Sequence, residues 1–201
     1  MIHHRPQGFD YPLFRRRNLI SSTALGGSMV LSLRLPLGEG NTGYTESSKR
    51  NTSIRIDGDG EITLTLPYRR TGRSIHVSIA MSIAEQLAVA PHRVQVKYAS
   101  ATTEFASNGI FDTLTVDNLE TVRSALRLLG EAAATARVML IVAAAERWGA
   151  NARSCHAREG EVIHTVTWRK LRYGELTTDA AYRPIPGDVE LMPPRAESRP
   201  G

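Results

Sequence analysis

Three features of this 201-residue sequence predict an α+β fold. Two hairpins carry period-two alternation of apolar residues. One helix past the middle of the chain is long and almost wholly apolar. Helices and strands follow one another without the regular alternation that builds a parallel α/β sheet.

The first hairpin is "SIRIDGDGEITLTLP". Ile54 and Ile56, then Ile62, Leu64 and Leu66, alternate on either side of Asp57-Gly58-Asp59-Gly60. An Asp-Gly turn between alternating runs is a strong hairpin signal. The later ligand positions of a calcium loop are missing, so turn geometry accounts for the acidic pair. Next, Ile75, Ile79, Ile83 and Leu87 recur every four residues and predict an amphipathic helix, with Ser74 as its N-cap and Pro91 beyond its end. "VQVKY" (Val94–Tyr98) alternates as a strand, and residues 100–116 show no period and read as a long loop.

The long helix opens at Asp117 with Glu120 three residues on. Its stripe of Val122, Leu126, Leu129, Ala133, Ala136 and Leu140 is spaced 4-3-4-3-4. Val138–Ala145 is apolar on every side, which predicts burial all round and, in a domain this small, some uncovered surface for self-association or a partner. Gly149 ends the helix. "CHAREGEVIHT" reads as a second hairpin turning at Glu159-Gly160, and "YGELTTDAA" as a short helix. The predicted order is therefore β-β-α-β-loop-α-β-β-α: hairpins and a short mixed sheet packed on one long buried helix plus two shorter ones.

Flanking segments divide the chain further. "LFRRRNLISSTALGGSMVLSLRLP" (Leu13–Pro36) has a basic start, an apolar run rich in Gly and Ser, and a polar spacer after it. That order fits an export signal, and Arg16-Arg17-Asn18-Leu19-Ile20 fits the twin-arginine kind. Residues 1–37 are accordingly expected to be a twin-arginine-like signal that takes the chain to the periplasm, either cleaved or left in the inner membrane. Residues 38–52 read as a flexible linker, 53–182 as the folded domain and 183–201 as a Pro-rich tail.

Charge follows the same division. The net charge is +5, and the first fifty residues hold seven basic against three acidic side chains. The rest is nearly neutral, without a basic stripe interleaved with aromatics, which argues against a nucleic-acid partner. A single cysteine, Cys155, excludes an internal disulfide and reads as a small buried apolar residue. Cys155-His156 with His164 falls short of the three or four ligands a zinc site needs, and no catalytic or metal-ligating set is assigned. His76 reads as a solvent-facing helix residue. Arg69, Arg70 and Arg73 cluster at the same helix start, suited either to an anion or to solvent.

The stretches "FRRRNLISSTALGG", "IRIDGDGEITLTLP", "SIAMSIAEQLAV", "ARVMLIVAAAERWG" and "LRYGEL" together resemble the N-terminal part of the large, molybdopterin-binding subunit of the isoquinoline 1-oxidoreductase type. That type belongs to the xanthine dehydrogenase/aldehyde oxidase family. The resemblance spans roughly Leu13 to Pro193 in the family's own order, and "AAAERWG" followed by Cys155 and "YGEL" is its most specific part. It implies a molybdenum–pterin dinucleotide cofactor, hydroxylation of an N-heterocycle or oxidation of an aldehyde, and electron exit through an iron–sulfur partner subunit.

The departures from that pattern fall on the cofactor motifs. Where the family has Glu-Met-Gly-Gln-Gly, this chain has Arg70-Thr71-Gly72-Arg73-Ser74, so Gly72 is the one cofactor-binding residue carried over. The family's Thr-Gly-Gly-Ser loop corresponds to Leu114-Thr115-Val116-Asp117-Asn118, without a glycine to cradle phosphate. The family's catalytic Glu has no counterpart in these 201 residues. Two functional expectations follow. One is a fragment or degenerate homologue of a molybdopterin-dependent oxidoreductase large subunit that binds no cofactor and catalyses nothing alone, with the remainder of that subunit and an iron–sulfur subunit as partners. The other is a small exported module that binds a partner subunit without catalysis.

Overall fold

A computed structural model describes residues 20–33, 52–66, 73–98 and 119–193. Among them the chain forms β1 (Ile20–Leu25), β2 (Ser28–Leu33), β3 (Thr52–Ile56), β4 (Ile62–Leu66), α1 (Arg73–Gln86), β5 (Val94–Tyr98), α2 (Leu119–Trp148), β6 (Cys155–Arg158), β7 (Glu161–His164), β8 (Lys170–Arg172) and α3 (Tyr173–Ala181). The first five strands make one sheet in the order β1-β2-β3-β4-β5, and the last three make a small antiparallel sheet. The α+β expectation holds.

The large sheet is antiparallel except for β4 and β5, which pair in parallel because α1 returns the chain between them. Register sorts its side chains into cross-strand rows. Ala24, Met29, Ile56, Ile62 and Val94 form one row, and Ser22, Leu31, Ile54, Leu64 and Val96 the next. The apolar members of β2, β3 and β4 in these rows are fully buried under the helices. The alternate rows are polar: Ser21, Ser32, Ser53, Thr65 and Lys97 stand on the opposite face. One covered face and one polar face explain the period of two.

The signal reading of residues 1–37 needs correction on this point. Its apolar run is a hairpin of the domain itself. Gly26 and Gly27 both have positive φ (56° and 80°) and make the two-residue turn between β1 and β2. Met29, Leu31 and Leu33 enter the core, and Thr177 of α3 donates its hydroxyl to the Gly27 carbonyl at 2.7 Å. The folded domain therefore begins by Ile20, not near Ser53. Arg16, Arg17 and the expected linker up to residue 51 lie outside the described residues.

α1 buries Ile79 and Ile83 against the sheet, as its four-residue spacing requires, and Leu87 follows just past its end. α2 buries Leu129, Ala133, Ala136 and Leu140 completely. Within Val138–Ala145, Met139, Leu140 and the three alanines are buried, while Val138, Ile141 and Val142 are half-buried, so burial all round is not reached. Leu126–Trp148 is long and apolar enough to cross a membrane, yet most of it lies inside this core. The expected loop 100–116 lies outside the described residues, and β8 is a third strand beside the predicted second hairpin.

The Pro-rich tail is also corrected in part, because residues 183–193 strap the domain. Ile185 packs on the core. The guanidinium of Arg137, buried on α2, donates to the carbonyls of Gln86 (2.9 Å) and Glu190 (2.7 Å). The Gln86 side chain pairs with both backbone groups of Met192, donating to its carbonyl at 2.9 Å and accepting from its N–H at 2.8 Å. A buried guanidinium must find acceptors, and the strap supplies one of them.

Candidate functional site

The carboxyl ends of the parallel pair form the natural ligand edge of this fold, since crevices for ligands open outside the ends of parallel strands. Leu66 ends β4 directly beside Tyr98, which ends β5. The residues that follow Leu66 run through Gly72 to α1, and those that follow Tyr98 run through residues 114–118 to α2. In the sequence Gly72 thus lies between β4 and α1, and residues 114–118 lie between β5 and α2, immediately before Leu119. Gly72, Arg69, Arg70 and residues 114–118 themselves lie outside the described residues, and Arg73 is described only as the first residue of α1.

At this edge His76, one turn into α1, stacks on Tyr98 with ring centroids 4.8 Å apart and planes inclined by 23°. His76 is half-buried, not solvent-facing as its helix position alone suggests. Strand alternation gives no hint of this partner, because the contact depends on the crossover that sets α1 over β5. The described residues do not by themselves fit a large anionic cofactor. His76 and Tyr98 cover each other's faces, and the buried polar side-chain atoms left without a partner, Ser22 Oγ and Arg183 Nε, lie on β1 and after α3.

The second candidate cluster resolves into structure. Cys155 and His164 are directly opposite each other on β6 and β7. Burial pushes the Cys155 thiol up from its ordinary pKa, so it stays protonated and unreactive at neutral pH. Its Sγ points to the Asn151 carbonyl at 3.8 Å. His164 Nδ1 pairs with Thr167 Oγ1 at 2.7 Å, and its ring lies 6.0 Å from that of Trp148. His156 projects from the opposite, exposed face. Among the described residues no group of three or more His, Cys, Asp or Glu is placed to hold a metal.

Where the two sheets meet, three turns converge. Tyr173 is fully buried and donates its hydroxyl to the Leu87 carbonyl at 2.6 Å. Its pKa is raised by burial, against a smaller opposing pull from Arg137. A Cβ on the next residue, Gly174, would stand 2.0 Å from the Gly58 carbonyl oxygen, so only glycine lets α3 lie on the β3–β4 turn. Glu175 caps its own helix by accepting from the Arg172 N–H at 2.7 Å, and Leu176 is wholly buried. Arg93 reaches the same turn and donates to the Gly60 carbonyl at 3.0 Å.

Comparison with known proteins follows this geometry. The family model described as "Molybdopterin cofactor-binding domain" matches residues 26–196. The β subunit of isoquinoline 1-oxidoreductase from Brevundimonas diminuta is 27% identical over 169 residues, which are 82% of this chain and 22% of that protein. The chain thus spans about a fifth of the length of this curated relative. Among solved structures, quinoline 2-oxidoreductase from Pseudomonas putida 86 superposes with a TM-score of 0.45 and 18% identity, covering 88% of this chain and 22% of that one. A Cu,Mo-CO dehydrogenase gives a TM-score of 0.47 and 14% identity over 76% of this chain and 19% of that one.

Proposed function

The chain belongs to the molybdopterin cofactor-binding domain family, and from that premise we propose that it is a degenerate or partial form of the large subunit of a molybdopterin-dependent oxidoreductase, not catalytic by itself. The observation that carries this reading is the edge at Leu66 and Tyr98. β4 and β5 pair in parallel and end side by side, while Arg70–Ser74 and Leu114–Asn118, which follow them in the sequence, carry only Gly72 of the glycines in the resembling family's motifs. Gly-rich loops bring backbone N–H groups close to phosphate, and side chains with a Cβ keep them away. When bound, a molybdenum–pterin group would supply the redox chemistry. No step of it is assigned to residues of this chain.

The partners that follow are the remainder of a large subunit and an iron–sulfur subunit. Export through Arg16-Arg17 is part of the same proposal, with one condition. Cleavage after the apolar run would remove β1 and β2, so an exported chain keeps its hairpin. The test is molybdenum and pterin analysis of the purified full-length chain, alone and co-expressed with its genomic neighbours. No cofactor alone, and cofactor in a co-purifying complex, is the expected result. Stoichiometric molybdenum in the chain alone would refute the proposal and make Gly72 the first residue to vary.

A second reading, a non-catalytic module that binds a partner subunit, is favoured by half-buried Val138 and Val142 on α2. It predicts that Val142→Glu weakens any assembly while leaving the monomer folded.

A further inference from the structure

β1 closes the large sheet on one side and, among the described residues, has no strand beyond it. Its backbone is nonetheless set to pair again. Leu25 and Ser28 flank the two-residue turn Gly26-Gly27, so they exchange backbone hydrogen bonds, as do Thr23 with Val30 and Ser21 with Ser32. The residues between them, Ile20, Ser22 and Ala24, turn their N–H and C=O groups to the open edge. Edge strands are ordinarily blunted by charge, proline or a bulge. β1 reads ISSTAL, with neither charge nor proline, and its register on β2 runs unbroken from Ile20 to Leu25. The opposite edge strand, β5, carries Lys97.

The side chains of β1 decide what kind of strand fits beside it. Ile20, Ser22 and Ala24 lie on the helix-covered face and are half-buried, while Ser21, Thr23 and Leu25 are exposed on the other. Ile20 and Ala24 pack on the rim of the core. Between them Ser22 Oγ is buried without a hydrogen-bond partner, a condition that folded chains rarely leave standing.

From this geometry we propose that a second copy of the chain docks on β1, antiparallel and about a two-fold axis at Ser22, so that the two sheets join. In this register the strand is its own complement. Ser22 stands opposite Ser22 of the other copy, Ile20 opposite its Ala24, and Ser21 opposite its Thr23. The three residues whose backbone faces the edge then exchange hydrogen bonds across the axis. Facing Cβ atoms in such a ladder lie about 5 Å apart, so the two Ser22 hydroxyls reach each other and the orphaned oxygen gains its partner. Each core rim covers the other, and Ser21 and Thr23 meet as polar neighbours on the exposed face. A register shifted by two residues would set Thr23 on the axis and Ser22 against Ala24, leaving the hydroxyl unpaired. An unrelated strand would have to bring a hydroxyl with apolar side chains two residues to either side. β1 brings them by symmetry.

The test measures the mass of the full chain in solution by light scattering over rising concentration. A concentration-dependent dimer is expected, with or without any cofactor. Ser21 and Thr23 are exposed, so charges placed there leave the monomer folded, which circular dichroism checks. Ser21→Lys with Thr23→Lys sets like charges face to face on both sides of the axis and should raise the dissociation constant about tenfold. Ser21→Lys with Thr23→Glu sets opposite charges face to face in the same register and should restore the dimer, whereas in the shifted register the two glutamates would meet. Val142→Glu, on α2, should leave this dimer unchanged. A chain that stays monomeric at the highest concentration reached, a dimer indifferent to the double lysine change, a glutamate variant no tighter than the lysine one, or a dimer dissolved by Val142→Glu would each overturn the proposal. So would a chain that is monomeric alone and takes the rest of a large subunit onto β1.

Discussion

Leu31→Ala tests whether the run of residues 19–35 is part of the domain or an appendage to it. Leu31 is 0% exposed and lies in one cross-strand row with Ile54 and Leu64, both also fully buried. Truncating such a leucine loses its transfer free energy and leaves a cavity, at a cost of about 3 kcal/mol. With a urea m-value of about 2 kcal/mol per molar, the midpoint should fall by about 1.5 M. Ser32→Ala, one residue on and facing the polar side, should move it by less than about 0.3 M. Removing residues 1–37 goes further. It uncovers the edge of β3 and deletes the burial of Met29, Leu31 and Leu33, each contributing about 2 kcal/mol. Their sum approaches the whole stability of a domain, about 5–15 kcal/mol, so the shortened chain should show no cooperative transition by far-UV circular dichroism. A Leu31→Ala midpoint indistinguishable from that of Ser32→Ala, or a normal transition in the shortened chain, would refute the hairpin's place in the core.

Gly174→Ala should lower the melting temperature markedly, because its Cβ meets backbone, not a yielding side chain, and overpacking of this kind costs about 1–3 kcal/mol. Gly187→Ala, with nothing within 4 Å of the added carbon, should be silent in the same scan. Tyr173→Phe leaves the buried Leu87 carbonyl without its donor and should cost about 1–3 kcal/mol at neutral pH. Because the folded pKa of Tyr173 is raised, its contribution is complete below the unfolded value of 10.0 and declines as pH rises above it. Denaturation at pH 7 and at rising alkaline pH should therefore show wild type converging on the variant. Asp57 behaves oppositely. Burial pushes its pKa up, but hydrogen bonds from Ser28 (2.6 Å) and Arg55 (2.5 Å), with the Arg55 charge, outweigh this and hold it below the usual 3.8. Its stabilising effect is present above that value and lost as pH falls through the folded pKa. Asp57→Asn should accordingly cost about 1–2 kcal/mol at pH 6, and the gap should close in acid.

Much of the fold was legible because its elements carry their own period. The hairpin at residues 54–66, the buried stripe of α2 and the helix from Tyr173 are continuous in sequence, and each declares one face. The β1–β2 hairpin was missed, although Gly26-Gly27 precedes the alternating Met29, Leu31 and Leu33. Three preceding arginines made the same residues fit an export signal, and the partner strand Ile20–Leu25 is too weakly apolar to declare itself. The strap, the His76–Tyr98 stack and the cover that Gly58 places on Gly174 join residues 22 to 116 positions apart. Such contacts leave no local pattern.

The most specific part of the family resemblance turns out to be architectural. In "AAAERWG", the three alanines are buried beneath neighbouring elements, Glu146 and Arg147 pair with Arg183 and Asp179 at 2.5 Å each, and Trp148 lies against His164. Gly149 stops the helix at φ +61°. In "YGEL", a buried hydroxyl, a close backbone approach, a helix cap and a core leucine account for the four letters in turn. None of these residues needs a cofactor to explain it. Packing of this kind serves the folded domain, whatever the segments after β4 and β5 hold. This packing set is present in this chain and accounts for its place in the family. Fold and chemistry rest on different residues here, so the proposed loss of the cofactor motifs is tested by cofactor analysis and not by the packing.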